Sequence, residues 1–501
     1  MSWTGEAPEG DGDALYEALR AKDVRFDGRV FVGVRTTGVF CRPVCRARTP
    51  KRENCSFYAS AAEAERAGFR PCLVCRPELA PGRPIAGSPG DLARRAARMI
   101  EEGLGTDFSL EELASGLGCG GRRLRRAFAE EFRVPPVRYL QTSRLLMAKS
   151  LLTDTSLSVS EVAMAAGFGS LRRFNGLFRS SYGLSPTDLR RRGPQGGGAD
   201  AGVRLTLGYR PPYRWDAMAG FLGRRAISGV EAVSGGEYLR TVRLAAPGGG
   251  IASGWIGVRD DPARNSLSVF VSEGLVAVVP QALARVKRLF DLYCEPDAVS
   301  ATLSAMNDVR PGLYLPGTRL PGCFEPFEIA VRAVVGQQIT VRAAGTLAAR
   351  IAQEFGSPVR TGAPGLERAF PSPEDIFEPC GQGAGLAERR AESRLTALGV
   401  TAARAKAIVA IADAFAAGRI DLERSARPEE EAMKLAGIPG IGRWTAGYIA
   451  MRGTGWPDAF LETDAGVKRA LPDLSPRELA ELARTWRPWR SYATVSLWDS
   501  L

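Results

Sequence analysis

The spacing of apolar residues along the chain changes several times and predicts the order of its secondary structure. Within residues 203–311, apolar and polar positions alternate in segments such as YLRTVRL (238–244) and NSLSVFVS (265–272). This alternation predicts antiparallel strands with a few helices. From Phe324 onward, beginning with FEPFEIAVRAVVGQQIT (324–340), the apolar positions recur at helical spacing. The pattern therefore predicts a mixed α+β segment followed by a helical one.

Two helical stretches nearer the N-terminus share one plan. Residues 109–132 and 158–186 each begin with a short apolar-spaced helix, continue through a Gly-bearing turn and end in an Arg-rich helix. Ser109 and Ser158 each precede a Glu by three residues, which is the spacing of a capping box. Each stretch is predicted to be a helix-turn-helix unit, although an Arg-coated, solvated helix bundle is the alternative. The arginines expected to face DNA include Arg125, Arg172 and Arg173.

Composition excludes several kinds of chemistry. The 501-residue chain contains no His, which rules out Ser-His-Asp triads, Cys-His pairs and His-ligated metals. Its net charge is +12, of which residues 1–193 carry +9, and this Arg-rich excess favours phosphate recognition. No apolar run approaches the ~20 residues of a membrane span, and the acidic N-terminal stretch is unlike a signal peptide. We therefore expect a cytoplasmic protein without a membrane partner.

Four cysteines form two closely spaced pairs, Cys41-x3-Cys45 and Cys72-x2-Cys75. Two such pairs at a distance are typical of a tetrahedral thiolate site for Zn²⁺. A set of buried, reduced thiols is the alternative. Cys55 lies between the pairs and is not expected to be a ligand.

The sequence around these cysteines, GVRTTGVFCRPVCRARTPKRENCSFYASAAEAERAGFRPCLVCRP (33–77), resembles the zinc domain of the Ada family of alkylation-response proteins. The resemblance implies that one zinc thiolate accepts a methyl group from a methylphosphotriester in DNA. It places that acceptor at Cys41, with Cys45, Cys72 and Cys75 as the other ligands. A zinc site that only holds the domain together is the alternative.

The segment FGSLRRFNGLFRSSYGLSPTDLRR (168–191) resembles the AraC-type DNA-binding domain, which has two helix-turn-helix units about one DNA turn apart. The first unit departs from that pattern because Gly120 and Gly121 stand where helix-forming residues are usual. The resemblance implies a transcription-regulator domain that binds a promoter site.

A third group of motifs lies near the C-terminus. LAGIPGIGRWTAGYIAM (435–451) predicts two helices joined by a hairpin, whose backbone N–H groups could approach a phosphate because of Gly437, Gly440 and Gly442. Asp464 follows, and the aromatic stretch WRPWRSYATVSLW (486–498) comes after it. A structural helix–helix turn is the alternative for the hairpin, and a helix N-cap is the alternative for Asp464.

Together these motifs resemble the helix-hairpin-helix glycosylases, and specifically the DNA-3-methyladenine glycosylase II family. The resemblance implies that Asp464 is the essential carboxylate and that Trp444, Tyr448 and Trp498 line the base pocket. Core aromatics are the alternative for the three rings. The lyases of this superfamily carry a Lys where Trp444 stands, so a monofunctional hydrolase is expected. Gln338 falls where a residue would fill the space left by a flipped base, and its polar side chain leaves that role open.

Pro/Gly-rich stretches at 78–90 and 191–202 read as linkers. The expected fold is multidomain α+β: a small four-cysteine zinc domain, an all-α double helix-turn-helix domain, a mixed α+β domain and a helix-hairpin-helix glycosylase domain. The predicted boundaries are 1–80, 85–192, 203–312 and 313–501.

The expected function is repair of alkylated double-stranded DNA by a bacterial, nucleoid-associated N-glycosylase, with methyl acceptance at the zinc site and transcription activation. No nucleotide cofactor is expected. The alternative is an Ada-like regulator whose C-terminal part only binds DNA.

Overall fold

The structure is a computed structural model that describes residues 12–82, 91–104, 109–192, 202–247, 249–377, 384–423 and 427–501. These residues form two compact units. The first contains the chain up to Pro211 with Leu244–Ala252 and Asp260–Ala284, and the second contains Pro212–Arg243, Ser253–Arg259 and Arg285–Leu501. Within the described ranges, no helix is both long enough and apolar enough to cross a bilayer.

The first compact unit begins with a small sheet flanked by two helices. The sheet and these two helices together are called here the zinc-site sheet. Its elements are α1 (Gly12–Arg20), β1 (Phe31–Val34), β2 (Val39–Cys41), β3 (Cys55–Tyr58), α2 (Ala61–Arg66) and β4 (Arg70–Pro71). The strand order is β3-β1-β2-β4; β1 pairs antiparallel with β2 and β3, whereas β4 runs parallel to β2. Because β2 ends at Cys41 and β4 leads into Cys72, this parallel pairing brings the two cysteine pairs together.

Helices follow in the same unit, and they confirm the two helix-turn-helix predictions. They are α3 (Asp91–Glu102), α4 (Leu110–Gly116), α5 (Gly121–Phe132), α6 (Pro136–Asp154), α7 (Val159–Ala165), α8 (Leu171–Tyr182) and α9 (Pro186–Arg192). Helices α4 and α5 form the first helix-turn-helix unit, and α7 and α8 form the second. Helix α6 links these two helix-turn-helix units. Aromatic pairs at matching positions fill both cores: Phe128 packs on Phe132, and Phe178 packs on Tyr182.

The helix starts agree with the sequence signals in most respects. Ser158 and Glu161 form a complete capping box, whereas the side chain of Ser109 accepts from the Glu112 amide as a simple N-cap. Gly120 is the N-cap of α5, so the two glycines do not prevent this helix from forming.

The linker prediction for 78–90 is wrong at its first residues. Pro77–Leu79 form a 3₁₀ turn, and the side chain of Glu78 is buried. Charged partners distant in sequence hold this turn, so its Pro/Gly-rich surroundings do not make it a flexible linker. Residues 83–90 lie outside the described residues. At the second predicted linker, α9 extends to Arg192 and a strand begins at Gly202, while 193–201 are not described.

The mixed segment after Gly202 contains the predicted strands. Its elements are β5 (Gly202–Gly208), α10 (Trp215–Gly223), β6 (Glu231–Ser234), β7 (Glu237–Ala245), β8 (Ile251–Asp261), β9 (Ser266–Ser272), α11 (Val279–Leu289), α12 (Pro296–Leu303) and α13 (Met306–Val309). Strand β5 pairs antiparallel with β9 in register Leu205 to Val269, and β6 pairs antiparallel with β7. Both alternating segments therefore lie in strands, as predicted.

The rest of the second unit is helical, as the apolar spacing predicts. Its helices are α14 (Pro326–Val335), α15 (Val341–Phe355), α16 (Ala384–Ala397), α17 (Ala402–Ala416), α18 (Pro428–Ala436), α19 (Arg443–Thr454), α20 (Ala465–Ala470), α21 (Pro476–Thr485) and α22 (Arg490–Asp499). An apolar core joins α14, α15, α17 and α19, with Val334, Ile408 and Ile449 fully buried in it. Residues of α19, α20 and α22 that lie outside this core line a cavity.

A buried ionic network fastens β6 and β7 to α14. Arg240 is 2% exposed; it donates to Glu328 at 2.6 Å and to Glu231 at 3.4 Å. Arg332 donates to both carboxylates at 2.8 Å. The Tyr238 hydroxyl donates to Glu231 at 2.6 Å. Each buried charge thus has an opposite partner, which is the condition for tolerating charges away from water.

Candidate functional sites

The four cysteines predicted to bind zinc converge at one end of the zinc-site sheet. The Sγ atoms of Cys41, Cys45, Cys72 and Cys75 all lie within 4.8 Å of one another. Zinc–thiolate bonds of about 2.3 Å place the sulfurs of a regular tetrahedron about 3.8 Å apart, so the cluster fits a Zn²⁺ site. Cys55 lies elsewhere, with its Sγ 3.3 Å from the Lys51 carbonyl oxygen.

Backbone amides support part of this cluster. The Arg42 N–H donates to Cys75 Sγ at 3.3 Å, and the Val74 N–H donates to Cys72 Sγ at 3.4 Å. The Arg42 guanidinium also donates to the buried carboxylate of Asp27 at 2.8 Å, which holds the loop after Cys41 in place. Among the described residues, no backbone amide donates to Cys41 Sγ. Cys41 therefore has less hydrogen-bonding support than Cys72 and Cys75.

The predicted DNA-facing arginines are exposed on the second helices of the two helix-turn-helix units. Arg172 and Arg173 lie in the first turn of α8, where Ser170 caps the helix by accepting from the Arg173 amide. Arg125 lies on α5, and its guanidinium is 3.8 Å from Glu111, a loose surface contact. The three side chains are exposed to solvent, and their contact with DNA stays a prediction.

In the second unit, α18 and α19 meet in the predicted hairpin. Gly440 has φ +88°, so it takes the left-handed conformation that suits glycine. Gly437 and Gly442 have ordinary negative φ values, as C-cap of α18 and N-cap of α19. The expectation that all three glycines serve the turn through conformational freedom thus applies to Gly440. All three are exposed, but the Gly437 N–H donates to the carbonyl oxygens of Met433 and Lys434 at the end of α18.

Beside the hairpin lies a cavity of about 1020 Å³, whose lining includes all four predicted catalytic and pocket residues of this unit. Trp444 and Tyr448 stack with ring centroids 5.3 Å apart and planes 8° apart. Trp498 approaches Tyr448 from α22 at 6.3 Å. The spacing of four residues along α19 explains the stack, because side chains at i and i+4 share one helix face. The cavity is thus walled by aromatic rings on one side.

Asp464 lies at the wall of this cavity and is 8% exposed. It is the N-cap of α20, and its Oδ1 accepts from the Val467 amide at 2.9 Å and from Trp498 Nε1 at 2.8 Å. Its Oδ2 accepts from Trp444 Nε1 at 3.1 Å. The helix N-cap and the pocket carboxylate, weighed as alternatives from the sequence, are one residue in one conformation.

Three residues that the sequence did not indicate complete the pocket: Phe221, Arg225 and Arg452. Phe221 stacks on Trp498 at 6.2 Å, and the Arg225 guanidinium lies 3.8 Å from the Phe221 ring centre. Arg452 donates to the Tyr448 hydroxyl at 2.8 Å. The continuing spacing of four along α19 was a signal for Arg452, whereas nothing in the apolar helix around Phe221 distinguished it.

The arginines change the ionisation of their neighbours. Burial alone raises the pKa of Tyr448, but the guanidinium groups of Arg452 and Arg225 outweigh burial and hold that pKa below its ordinary value. Burial lowers the pKa of Arg225 to about 10. The pocket is therefore electrostatically mixed, with a carboxylate on one wall and cationic groups on another.

Gln338 lies at the exposed tip between α14 and α15, with φ +55°, near the cavity and the hairpin. Its neighbour Gln337 ties this loop to the hairpin, since Gln337 Nε2 donates to the Gly440 carbonyl at 3.0 Å and to Thr445 Oγ1 at 3.1 Å. The loop tip and the hairpin are thus held together on one side of the cavity.

Comparisons with known proteins match each part of this description. A family model described as the metal binding domain of Ada matches residues 14–78, a helix-turn-helix domain model matches 113–192, and an AlkA N-terminal domain model matches 204–325. The chain is 36% identical to the "Probable bifunctional transcriptional activator/DNA repair enzyme AlkA" of Mycobacterium tuberculosis, over 98% of this chain and 97% of that protein.

Two Escherichia coli proteins match separate halves. DNA-3-methyladenine glycosylase 2 is 38% identical over 58% of this chain and 96% of its own length. The bifunctional transcriptional activator/DNA repair enzyme Ada is 34% identical over 39% of this chain and 52% of its own length. The fold and sites therefore define a fusion of an Ada-type regulator with a glycosylase-type unit. The chain belongs to the family of bifunctional transcriptional activator/DNA repair enzymes AlkA.

Proposed function

We propose that this protein repairs alkylated double-stranded DNA in two ways and regulates transcription. Its second unit acts as a DNA-3-methyladenine glycosylase II, and its zinc site accepts methyl groups from methylphosphotriesters. The observation that carries the glycosylase proposal is the carboxylate of Asp464, held by three N–H donors at the wall of an aromatic cavity. A chain without His can perform this chemistry, because the reaction requires a carboxylate and no imidazole.

The glycosylase reaction starts with the damaged base flipped out of the duplex into the cavity. Alkylation at N3 or N7 of a purine leaves the base cationic and weakens its bond to the sugar. As that bond breaks, positive charge develops at C1′, and the Asp464 carboxylate stabilises this charge. The base leaves as a neutral molecule without a general acid, and water then adds to C1′ and releases one proton to solvent.

The remaining pocket residues bind the base and exclude water. Trp444, Tyr448 and Trp498 offer electron-rich faces to an electron-poor base, through stacking and cation–π contact. Trp444 stands where a lyase of this superfamily carries its Lys, so no Schiff base forms and the enzyme is a monofunctional hydrolase. The exposed hairpin binds a DNA phosphate through the N–H groups of Gly440 and Gly442, whereas Gly437 shapes the turn with its N–H bonded to α18. Gln338 occupies the tip that would fill the space left by the flipped base.

At the zinc site, Cys41 is the proposed methyl acceptor. Its sulfur lacks a backbone N–H donor among the described residues, whereas Cys72 and Cys75 each have one. A hydrogen bond to a thiolate withdraws electron density from it, so Cys41 is more nucleophilic than Cys72 and Cys75. The thiolate attacks the methyl carbon, the S–C bond forms, and the C–O bond breaks to leave a phosphodiester anion. Bound Zn²⁺ keeps the four thiols deprotonated.

Methylation also supplies a regulatory signal. It removes one negative charge from the zinc site, which lessens repulsion from DNA and strengthens phosphate binding, more so at low salt. The helix-turn-helix units, with Arg125, Arg172 and Arg173 exposed, would then bind promoter DNA more tightly. Acting on DNA, the protein would work in the bacterial cytoplasm in association with the nucleoid. A regulator whose second unit only binds DNA is not favoured, because binding alone does not require the buried Asp464.

The glycosylase proposal is tested by release of 3-methyladenine from methylated duplex DNA. We expect release by the wild type and by Asp473→Asn, an exposed control in the same unit, and its loss in Asp464→Asn. No release by the wild type would refute the enzyme assignment. Equal release by Asp464→Asn would refute the role given to Asp464.

The acceptor proposal is tested in the wild-type protein. Duplex DNA carrying isotope-labelled methylphosphotriesters is incubated with the zinc-loaded protein, and the labelled peptide is located by mass spectrometry. We expect the label at Cys41. Label at Cys45, Cys72 or Cys75 would show that a different ligand is the acceptor.

A further inference from the structure

Helix α2 of the zinc-site sheet contacts α5 and α6 of the helix-turn-helix part. Its N-cap, Ser60, donates from Oγ to the carbonyl oxygen of Phe132, the last residue of α5, at 2.9 Å. Five residues along, Glu65 accepts from Thr142 Oγ1 on α6 at 2.7 Å. Strand β4 of the same sheet packs against α8, whose last residue, Tyr182, is buried. The zinc-site sheet therefore contacts both helix-turn-helix units.

A second contact follows the zinc ligands directly. Arg76, the residue after Cys75, donates to Asp154 at the end of α6 at 2.6 Å. Glu78 accepts from Lys149 of α6 at 2.5 Å, and both side chains are almost completely buried, at 3% and 1% exposure. The loop that follows Cys75 is thus held against α6, the helix that links the two helix-turn-helix units.

The two contacts use one face of α6. Thr142 and Lys149 are seven residues apart, or about two helical turns, so their side chains project from the same side. A lysine on a solvent-facing helix surface remains exposed, whereas Lys149 is buried against a carboxylate of the zinc-site sheet. Burying a charge without a partner is costly, so this face is matched to the zinc-site sheet and is not an ordinary outer face.

The ionisation of the buried groups is consistent with close packing. Burial raises the pKa of Glu65 to about 7, even though the Thr142 hydroxyl and Arg138 act against that rise. Burial also raises the pKa of Tyr182 well above its ordinary value, and the Glu65 carboxylate adds to the effect. Both groups lie out of water between α2, α6 and α8.

We propose that the zinc-site sheet is a structural part of the DNA-binding portion of the first compact unit. It docks on α6 and on the C-terminal ends of α5 and α8, and so fixes α5 and α8 relative to each other. Undocking the zinc-site sheet weakens DNA binding by both helix-turn-helix units, although no DNA-facing arginine is changed. The role is additional to methyl acceptance, since it depends on Glu78, Lys149, Ser60 and Glu65, none of which is a zinc ligand.

Hydrogen exchange on the full-length protein, read by mass spectrometry, tests the docking. Glu78→Met leaves the Lys149 ammonium buried without an anion, while Arg76, which also donates to Glu78, keeps Asp154 as its partner. Glu78→Met with Lys149→Met removes both charges of the buried pair and keeps the volume. Glu53→Met, which alters a 72% exposed glutamate in the turn before β3, is the matched control. We expect exchange in α6 and α8 to rise at least about tenfold in the single variant, and to return toward wild type in the double variant.

The same variants are then mixed with an unmethylated random-sequence duplex. We expect DNA to protect α5 and α8 in the wild type, the double variant and the control, but not in Glu78→Met. DNA protection of the hairpin at Gly437–Gly442 should persist in every variant, because the hairpin lies in the second unit. Zinc content is measured alongside. Zinc retained in Glu78→Met, with exchange and protection of α8 unchanged, would overturn the proposal. So would failure of the double variant to restore either quantity.

Discussion

Glu65 gives the protein a pH-dependent stability whose sign and size follow from its burial. Glu65 is 8% exposed and its carboxylate accepts a hydrogen bond from Thr142 at 2.7 Å, while burial raises its pKa from 4.5 to about 7. In the unfolded chain the carboxyl group regains its ordinary pKa and releases its proton first. The unfolded state therefore binds fewer protons between pH 4.5 and about 7, so the folded state loses stability as pH rises through this window.

The separation between the two pKa values corresponds to about 3 kcal/mol, at about 1.4 kcal/mol for each tenfold change in proton affinity. About 2 kcal/mol of this falls between about pH 5.5 and about pH 8. Glu65→Gln cannot ionise and keeps a side chain of the same shape that can accept from Thr142. We expect the variant to lack this part of the pH dependence and to be more stable than the wild type at about pH 8.

The assay is hydrogen exchange of amides in α2 and α6 of the full-length protein, converted to a free energy of opening after correction for intrinsic exchange rates. Zinc thiolates also respond to pH, but they contribute equally to both proteins and cancel in the difference between wild type and variant. A difference that is constant from about pH 5.5 to about pH 8 would refute the reasoning. A Glu65→Gln variant that is less stable than the wild type at about pH 8 would also contradict the reasoning.

Three further predictions concern other parts of the molecule. Arg240→Met leaves two buried carboxylates short of a partner, so we expect the second unit to lose about 3–5 kcal/mol; an unchanged thermal midpoint would contradict this. Trp498→Phe keeps the ring but removes the 2.8 Å hydrogen bond to Asp464, so kcat for base release should fall about tenfold with little change in KM. Arg172→Ala with Arg173→Ala should reduce the slope of log affinity against log salt by about 2, and an unchanged slope would exclude phosphate contacts there.

Local patterns predicted much of the architecture. The helix-turn-helix units, the hairpin and the alternating strands are defined within short windows, where apolar spacing, capping residues and glycine act directly. The spacing of the cysteine pairs predicted a cluster that the structure brings together. These features need only neighbours in sequence, or one strand pairing, to form.

Contacts between segments that are distant in sequence could not be predicted from local sequence patterns. Phe221 reaches the pocket from a helix more than two hundred positions before Asp464, and its own surroundings read as ordinary core. Glu78 stood in a Pro/Gly-rich stretch that suggested a linker, yet Lys149 holds it in a buried ion pair. In both cases the fold supplies the partner, so composition near the residue carries no sign of it.

Asp464 illustrates why two readings of one residue need not compete. An N-cap carboxylate is held by the first amides of its helix, which restricts its rotation and fixes the direction of its oxygens. Here two indole N–H groups of the pocket complete the restraint, so the stacking rings and the carboxylate position one another. Charge that is already oriented needs no reorganisation when positive charge develops at C1′, and this preorganisation is the main source of electrostatic catalysis. The capping interaction is therefore part of the proposed catalytic arrangement.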